Sequence, residues 1–264
     1  MVKYTAIGIM SGTSLDGVDL AGCEFSQQNG KWAFKILAAE TIPYNEEWLF
    51  RMQKAHLLSG LELSRLNVEY GRFLGRLAYD FIFKHHLNPA IIASHGHTIF
   101  HQPSAGLTLQ IGSGAEIAAQ TRTTVVCDFR SLDVALGGQG APLVPIGDRL
   151  LFADYRFCLN IGGFANISFE ENGRRIAFDV CPANFVLNFL MGKIGKPFDE
   201  DGKIAASGKV IPELSNQLNH LGYYHQNPPK SLGREWVEAN ILSLFSENYH
   251  LPDLLRTIVE HIAH

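Results

Sequence analysis

Charge of one sign, long apolar runs and clustered cysteines are all scarce in this sequence, and each shortage excludes a class of protein. Lysine plus arginine number 22 against 26 aspartate plus glutamate, a formal net charge of -4 over 264 residues. So small an imbalance gives no general attraction to nucleic acid or to anionic membranes, and any site for a polyanion has to be local. No nucleic-acid partner is expected. No stretch reaches the roughly 20 apolar residues of a membrane span, and the first residues lack the charged region, apolar core and cleavage site of a secretory leader. The reading is therefore a cytoplasmic chain without a membrane partner. Cys23, Cys127, Cys158 and Cys181 are far apart with no C-x-x-C spacing, which suits reduced, mostly buried thiols rather than a disulfide framework or zinc site. What is present, 46% hydrophobic and 18% charged residues, is the balance of a globular protein that can bury a core.

The most informative stretch is Ile7-Gly8-Ile9-Met10-Ser11-Gly12-Thr13-Ser14-Leu15-Asp16-Gly17-Val18-Asp19. Apolar alternating runs enter it (Tyr4 to Met10) and leave it (Val18 to Phe25), so it reads as the tip of a β-hairpin with a Gly/Ser/Thr-rich turn. Gly12 and Gly17 let a ligand approach the backbone, exposed N–H groups make an anion-accepting concavity, and Ser11, Thr13 and Ser14 add hydroxyl donors. Asp16 and Asp19 are candidates for a magnesium ion, which prefers oxygen ligands and keeps several waters. An ordinary hairpin turn with Asp16-Gly17 at its corner fits the same residues. Trp32 to Thr41 supplies a third strand. Helices are expected over Asn45 to Leu58 and Gly60 to His86, then short strands at Ile91 to Ser94, Thr108 to Ile111 and Thr123 to Cys127, with a helix over Gly114 to Gln120. Strands alternating with helices after a meander imply a mixed α/β sheet.

The plan then starts again. Arg156 to Ser168 is strand, Gly162-Gly163 turn, strand, and Arg175 to Asp179 comes after the Asn172-Gly173 turn. A boundary is placed near residue 150, dividing the chain into 1–150 and 151–264. Two such units facing one another would bring both glycine turns to one cleft, a fit for a nucleotide. Beyond Asp179 only helical or irregular segments are found: Ala183 to Ile194, Ile211 to Leu221, Glu235 to His250, and Pro252 to the end. The last of these lacks a terminating Gly or Asn, so the second lobe reads as incomplete.

Three further segments carry chemistry. Asp179 ends a strand just before a helix, in Phe178-Asp179-Val180-Cys181-Pro182-Ala183-Asn184, where an apolar neighbourhood tunes a carboxylate as a base; a helix N-cap is the simpler role. Ser94-His95-Gly96-His97-Thr98-Ile99-Phe100-His101 holds three histidines, and His-x-His puts two imidazoles on one face of a strand, as a zinc site requires. A metal-dependent hydrolase on His95, His97 and His101 is one reading of that run. Arg130, in Cys127-Asp128-Phe129-Arg130-Ser131-Leu132-Asp133, offers a fork of donors for a carboxylate or sugar oxygens, with an ion pair to Asp133 as the structural alternative.

Taken together, the stretch Gly8 to Asp19, the Ser94-His95-Gly96 segment, Cys127 to Asp133 with Gly137-Gly138-Gln139-Gly140-Ala141-Pro142-Leu143, Asn160 to Asn166, Lys196 to Gly202 and Pro228 to Glu235 resemble the anhydro-N-acetylmuramic acid kinases. These are sugar kinases of the actin/hexokinase/Hsp70 superfamily. The resemblance implies an α/β, two-lobed, actin-like (ribonuclease H-like) architecture. It implies ATP and Mg2+ as cofactors, an anhydro amino sugar as the small-molecule partner, and a homodimer. Ser11, Gly12, Thr13, Ser14, Asp16, Gly17, Asp19, Gly162 and Gly163 would contact the ATP phosphates. His95, Thr98, Arg130, Gly138, Gln139 and Asn184 would bind the sugar, and Asp179 would be the general base. The reaction implied is hydrolytic opening of the 1,6-anhydro bridge with phosphorylation of O6, giving N-acetylmuramic acid 6-phosphate in cell-wall recycling. Two departures stand out. Val180-Cys181-Pro182-Ala183-Asn184 replaces the family's Thr-Gly-Pro-Gly-Asn, and His97 stands where the family has Gln. The lost glycines leave open a catalytically silent sugar- or nucleotide-binding member of the same family.

Overall fold

A computed structural model describes residues 2–12, 15 and 17–264. Thr13, Ser14 and Asp16 of the first turn lie outside the described residues. The chain divides into two compact units, Met1–Leu143 and Val144–His264. The division precedes the expected 150/151 boundary because the helix at 145–151 is bonded to a strand of the second unit: the Ser168 hydroxyl donates to Asp148, and Arg149 pairs with Glu170.

In the first unit, β1 (Val2–Ser11), β2 (Gly17–Gln28) and β3 (Lys31–Pro43) form the expected antiparallel meander, with Met10 opposite Asp19. Then come α1 (Glu46–Lys54), α2 (Gly60–Lys84), β4 (Ile91–Gln102), β5 (Leu107–Ile111), α3 (Gly114–Thr121), β6 (Val125–Cys127) and α4 (Ser131–Ala135). The sheet runs β3-β2-β1-β4-β5, with β6 also paired to β4. β4 lies parallel to β1 and to β6 and antiparallel to β5. This is the mixed α/β class read from the sequence. Alternation along β1 and β2 buries Ile7, Ile9, Val18 and Leu20, which pack with the α2 stripe Leu66, Tyr70, Leu74, Ala78 and Phe81. That stripe recurs every three or four residues, one face of a helix. Helix α2 starts at a capping box in which Ser59 and Glu62 satisfy one another's backbone N–H groups.

The second unit runs α5 (Pro145–Leu151), β7 (Phe157–Ile161), β8 (Phe164–Glu171), β9 (Arg174–Pro182), α6 (Asn184–Gly192), α7 (Lys203–Ser207), α8 (Pro212–Asn219), α9 (Arg234–Asn240) and α10 (Leu251–Ala263). Its sheet is an antiparallel meander, β7-β8-β9. Val186, Leu190, Leu214, Leu218, Val237, Leu255 and Ile258 make the core between its helices. One expected element breaks. The helix anticipated from Glu235 to His250 stops at Asn240 and gives way to a short 3-10 turn, Leu242–Leu244. Ser243 bonds back to the Ala239 carbonyl, and the Ser246 hydroxyl takes the Asn248 N–H. Such local side-chain bonds compete with helix propagation. Among the described residues no helix is long and apolar enough to cross a membrane.

Helix α3 packs against α2 through glycine. A Cβ on Gly71 would sit 2.7 Å from both the N and the O of Ser113, whereas nothing lies within 4 Å of one on Gly60. Gly71→Val is expected to lower stability by about 2 kcal/mol, the scale of overpacking a filled contact. Gly60→Ala, in the same helix, is expected to be neutral or slightly stabilising. Urea denaturation of both variants checks this, and equal midpoints would show that the close approach is not a constraint.

Candidate functional site

The first unit's candidate site is built where β4 changes partners. Ile92 to Ser94 pair with β6, and from His97 onward the strand pairs with β5. Gly96 makes the change, with φ of 71°, and a Cβ there would be 2.3 Å from the Ile111 carbonyl oxygen. A side chain is therefore excluded twice, by conformation and by space. The turn also breaks the strict alternation that His-x-His reasoning assumes. His97 is buried, and its Nδ1 lies 3.0 Å from Ser11 Oγ, which lies 2.6 Å from Tyr44 Oη; Tyr44 in turn lies 2.5 Å from Tyr70 Oη. Ser11 is thus 1% exposed, and its hydroxyl is committed to a network joining β1, β4 and α2.

His95 faces other partners. Its Nδ1 lies 3.0 Å from the Gly96 carbonyl, so it donates there, and its Nε2 accepts from Arg130 Nε at 2.9 Å. The ring is neutral, its pKa lowered by burial and by the Arg130 charge. His101 bonds Thr108 instead. Among the described residues no three His, Cys, Asp or Glu side chains converge as a metal would need, and the three histidines of the run each serve a separate set of bonds.

Arg130 does not pair with Asp133. Its NH1 donates to the Gly140 carbonyl at 2.6 Å, while Asp133 Oδ2 accepts the Gly140 N–H at 2.6 Å. Both residues therefore tether one loop, and Gly138 fits beside the Asp133 carboxylate, where a Cβ would come within 2.3 Å of Oδ2. The guanidinium keeps donors to spare, since it has five N–H groups and two are used. Gln139 is exposed on that loop and Thr98 lies opposite Gln110 in the strand pairing. A cavity of about 220 Å³ opens beside His95, lined among others by Ser94, Gln110, Asp128 and Ser131. Sequence reasoning missed Ser94 and Gln110 as site residues. No local pattern singles out Gln110, which follows Thr108 at strand spacing.

The first turn is described in part. Gly12 accepts the Leu15 N–H at 3.3 Å. Gly17 is fixed by packing, because a Cβ would lie 2.3 Å from the Ile42 carbonyl oxygen. Asp19 is exposed and accepts the Thr41 hydroxyl at 2.6 Å.

In the second unit, Asp179 sits near the end of β9. Its Oδ2 accepts the Leu232 N–H at 2.9 Å, its own N–H reaches the Lys230 carbonyl at 3.3 Å, and its carbonyl takes the Tyr223 hydroxyl at 2.6 Å. Burial raises the carboxyl pKa, and the Leu232 N–H offsets part of that rise. Oδ1 forms no hydrogen bond among the described residues. Lys230 Nζ lies 4.6 Å from the Tyr223 ring centroid and 5.5 Å from that of Phe178, which anchors the 228–234 loop against β9. The helix after Asp179 does not present free amides. Ala183, Asn184 and Phe185 donate their N–H groups to the carbonyls of Gly163, Gly162 and Gly163, respectively. Asn184 is exposed at the first residue of α6. A Cβ at Gly162 or Gly163 would meet only ordinary contacts, 3.6 Å and 3.9 Å away, so the surrounding chain does not itself demand glycine there. Cys181 and Ala183, at the positions of the family's two glycines, are buried with Ala165. Neither side chain stands out from the surface of the segment.

The first unit thus carries a hydrogen-bonded polar pocket and a guanidinium with donors to spare, and the second a partly buried carboxylate. Comparison with known proteins shows the family. The family model described as anhydro-N-acetylmuramic acid kinase matches residues 4–264. An anhydro-N-acetylmuramic acid kinase of Paramagnetospirillum magneticum (strain ATCC 700264 / AMB-1) is 38% identical over 89% of this chain and 67% of its own length. Those of Francisella tularensis subsp. novicida (strain U112) and Bacillus cereus (strain Q1) are 38% and 33% identical, over 93% and 97% of this chain and 70% and 73% of their own lengths. Among solved structures, the ethanolamine utilization protein EutJ from Carboxydothermus hydrogenoformans has a TM-score of 0.30 at 14% identity, covering 78% of this chain and 62% of its own, too slight a likeness to bear on fold or function. The class is that of sugar kinases, for which transfer of a phosphoryl group from ATP is the implied chemistry. The chain belongs to the anhydro-N-acetylmuramic acid kinase family, as the sequence resemblance implied.

The buried imidazole makes a test of the network. Burial, then the neighbouring His95, lowers the His97 pKa to about 4. Below the ordinary value near 6.5 the unfolded chain takes up the proton first, so folded stability falls as pH drops from 6.5 toward 4 and levels off below. His97 is expected to contribute a loss on the order of 2 kcal/mol between pH 7 and pH 5. Urea midpoints at the two pH values check it: His97→Gln reduces the difference, and an unchanged difference would contradict the assignment.

Proposed function

We propose that this chain is an ATP-dependent kinase that opens the 1,6-anhydro bridge of anhydro-N-acetylmuramic acid and phosphorylates O6. Family membership supports the substrate class. The observation that carries the chemistry is Asp179: a partly buried carboxylate of raised pKa, one oxygen held by the Leu232 N–H and the other without a partner among the described residues. That is the form of a positioned general base. In this reading Asp179 takes a proton from water as the water oxygen bonds to the anomeric carbon. The bond from that carbon to O6 breaks, O6 bonds to the γ-phosphorus, and the bond to the β-phosphate oxygen breaks to release ADP. The product is N-acetylmuramic acid 6-phosphate, a metabolite of cell-wall recycling.

Roles for the other residues derive from their bonds. Arg130 is the partner for the lactyl carboxylate, since its planar fork retains free donors after tethering His95 and Gly140. His95, Thr98, Gly138, Gln139 and Asn184 complete the sugar contacts. Gly12, Gly17, Gly162 and Gly163, with Thr13, Ser14 and the Ser11 backbone, serve the phosphates; the Ser11 hydroxyl is already committed to its buried network. The two second-unit glycines leave their turn open to close approach. Asp19 fits magnesium as a single exposed carboxylate, with Asp16 as its companion. Magnesium would supply charge neutralisation for the phosphates. A homodimer and a cytoplasmic location go with this reading.

Asp179→Asn is expected to lower turnover at least about a hundredfold, the usual scale for a general base, with ATP affinity retained. In the wild-type chain kcat/KM is expected to fall as pH drops through a pKa above the ordinary carboxylate range, because the base must be ionised. Turnover in the variant close to wild type, measured as ADP and sugar phosphate together, would falsify the assignment. ATP affinity without turnover in the wild-type chain would instead identify a binding-only member of the family.

A further inference from the structure

The cavity beside His95 holds two buried polar atoms, Ser94 Oγ and Gln110 Oε1, with no hydrogen-bond partner among the described residues. Unpaired buried polar atoms are rare because each costs about 1–3 kcal/mol of desolvation, so each one calls for an explanation. Here the explanation starts at His101, the histidine of the Ser94–His101 run for which the proposed chemistry gives no role. Its Nδ1 lies 3.1 Å from Thr108 Oγ1. The Thr108 oxygen in turn receives Gln110 Nε2–H at 2.9 Å. The relay fixes which way the Gln110 amide faces: its nitrogen is used, and its oxygen is left over.

Beside the already bonded Asp128–Ser131 pair, the cavity therefore offers, as its buried atoms without a partner, one oriented carbonyl acceptor and one hydroxyl that can donate, with Leu109 and Cys127 among the apolar neighbours. At about 220 Å³ it is smaller than the pockets that enclose a whole drug-sized ligand, and suits a substituent. A secondary amide with a methyl group answers each feature: N–H to Gln110 Oε1, carbonyl oxygen from the Ser94 hydroxyl, methyl to the apolar lining. Building on the proposed function, we infer that Ser94 and Gln110 form the subsite that selects the 2-acetamido group of the sugar. Thr108 and His101 are positioning residues that set the Gln110 amide.

The test is isothermal titration of the full chain with 1,6-anhydro-N-acetylmuramic acid and with its 2-deoxy counterpart, which has hydrogen in place of the acetamido group. The wild-type chain is expected to prefer the acetamido sugar by at least tenfold. Gln110→Leu brings the ratio of the two affinities near one, and Thr108→Val, which cuts the relay without changing the cavity lining much in size, lowers it severalfold. Arg130→Gln weakens both sugars alike and leaves the ratio intact, a pattern that a general loss of pocket structure would not reproduce. Binding of both sugars with no preference, or a ratio unmoved in the Thr108 and Gln110 variants, overturns the subsite and leaves the kinase reading standing. Failure of the wild-type chain to bind either sugar overturns both. Should Gln110→Leu not fold, the wild-type ratio and the Thr108 variant decide the matter.

Discussion

The close approach of the Ile111 carbonyl to Gly96 is the constraint on which the first unit's site depends. With any side chain at position 96, β5 would be pushed from β4 at the point where β4 changes partner. That change has three consequences. It turns His97 into the core toward Ser11, leaves His95 to Arg130, and sets Gln110 across from Thr98. One residue without a side chain thus separates an imidazole buried in the core from one that lines the cavity, only two positions away.

The second unit's candidate site rests on a different device. The carbonyls of the Gly162-Gly163 turn cap the first amides of α6, so the turn and the helix after Asp179 are one hydrogen-bonded body. Asp179 is then fixed from the other side by the 228–234 loop, through Leu232, and that loop is held by Lys230 lying against Tyr223 and Phe178. A carboxylate held this way has little freedom to reorganise. The replaced glycines, Cys181 and Ala183, face the buried cluster with Ala165, so the departure from the family pattern falls on the inner side of the segment.

Much of this was legible in the sequence where local patterns decide the outcome. The meander, the long α2 and the second meander come from alternation and helical spacing, and Asp179 was read as ending a strand just before a helix, although β9 runs past it to Pro182. The rest depended on bonds between distant residues. The His95–His97 pair looked like one face of a strand because a left-handed Gly96 cannot be seen in spacing. The Arg130–Asp133 pairing looked natural at three residues apart, yet each side chain is better satisfied by the Gly140 backbone. The helix expected to reach His250 breaks where serine side chains bond to nearby backbone groups. Gln110 was illegible as a cavity residue, since its free oxygen exists only once Thr108 has claimed the nitrogen.

The central proposal, that this chain both hydrolyses and phosphorylates the sugar, is tested most directly by isotope placement. The chain is incubated with ATP, magnesium and 1,6-anhydro-N-acetylmuramic acid in water enriched in oxygen-18, and the products are weighed by mass spectrometry. One labelled oxygen in the sugar of the 6-phosphate, none in its phosphate group, and one ADP per sugar phosphate is the predicted result. Label released as inorganic phosphate, or ADP formed without sugar phosphate, would contradict it.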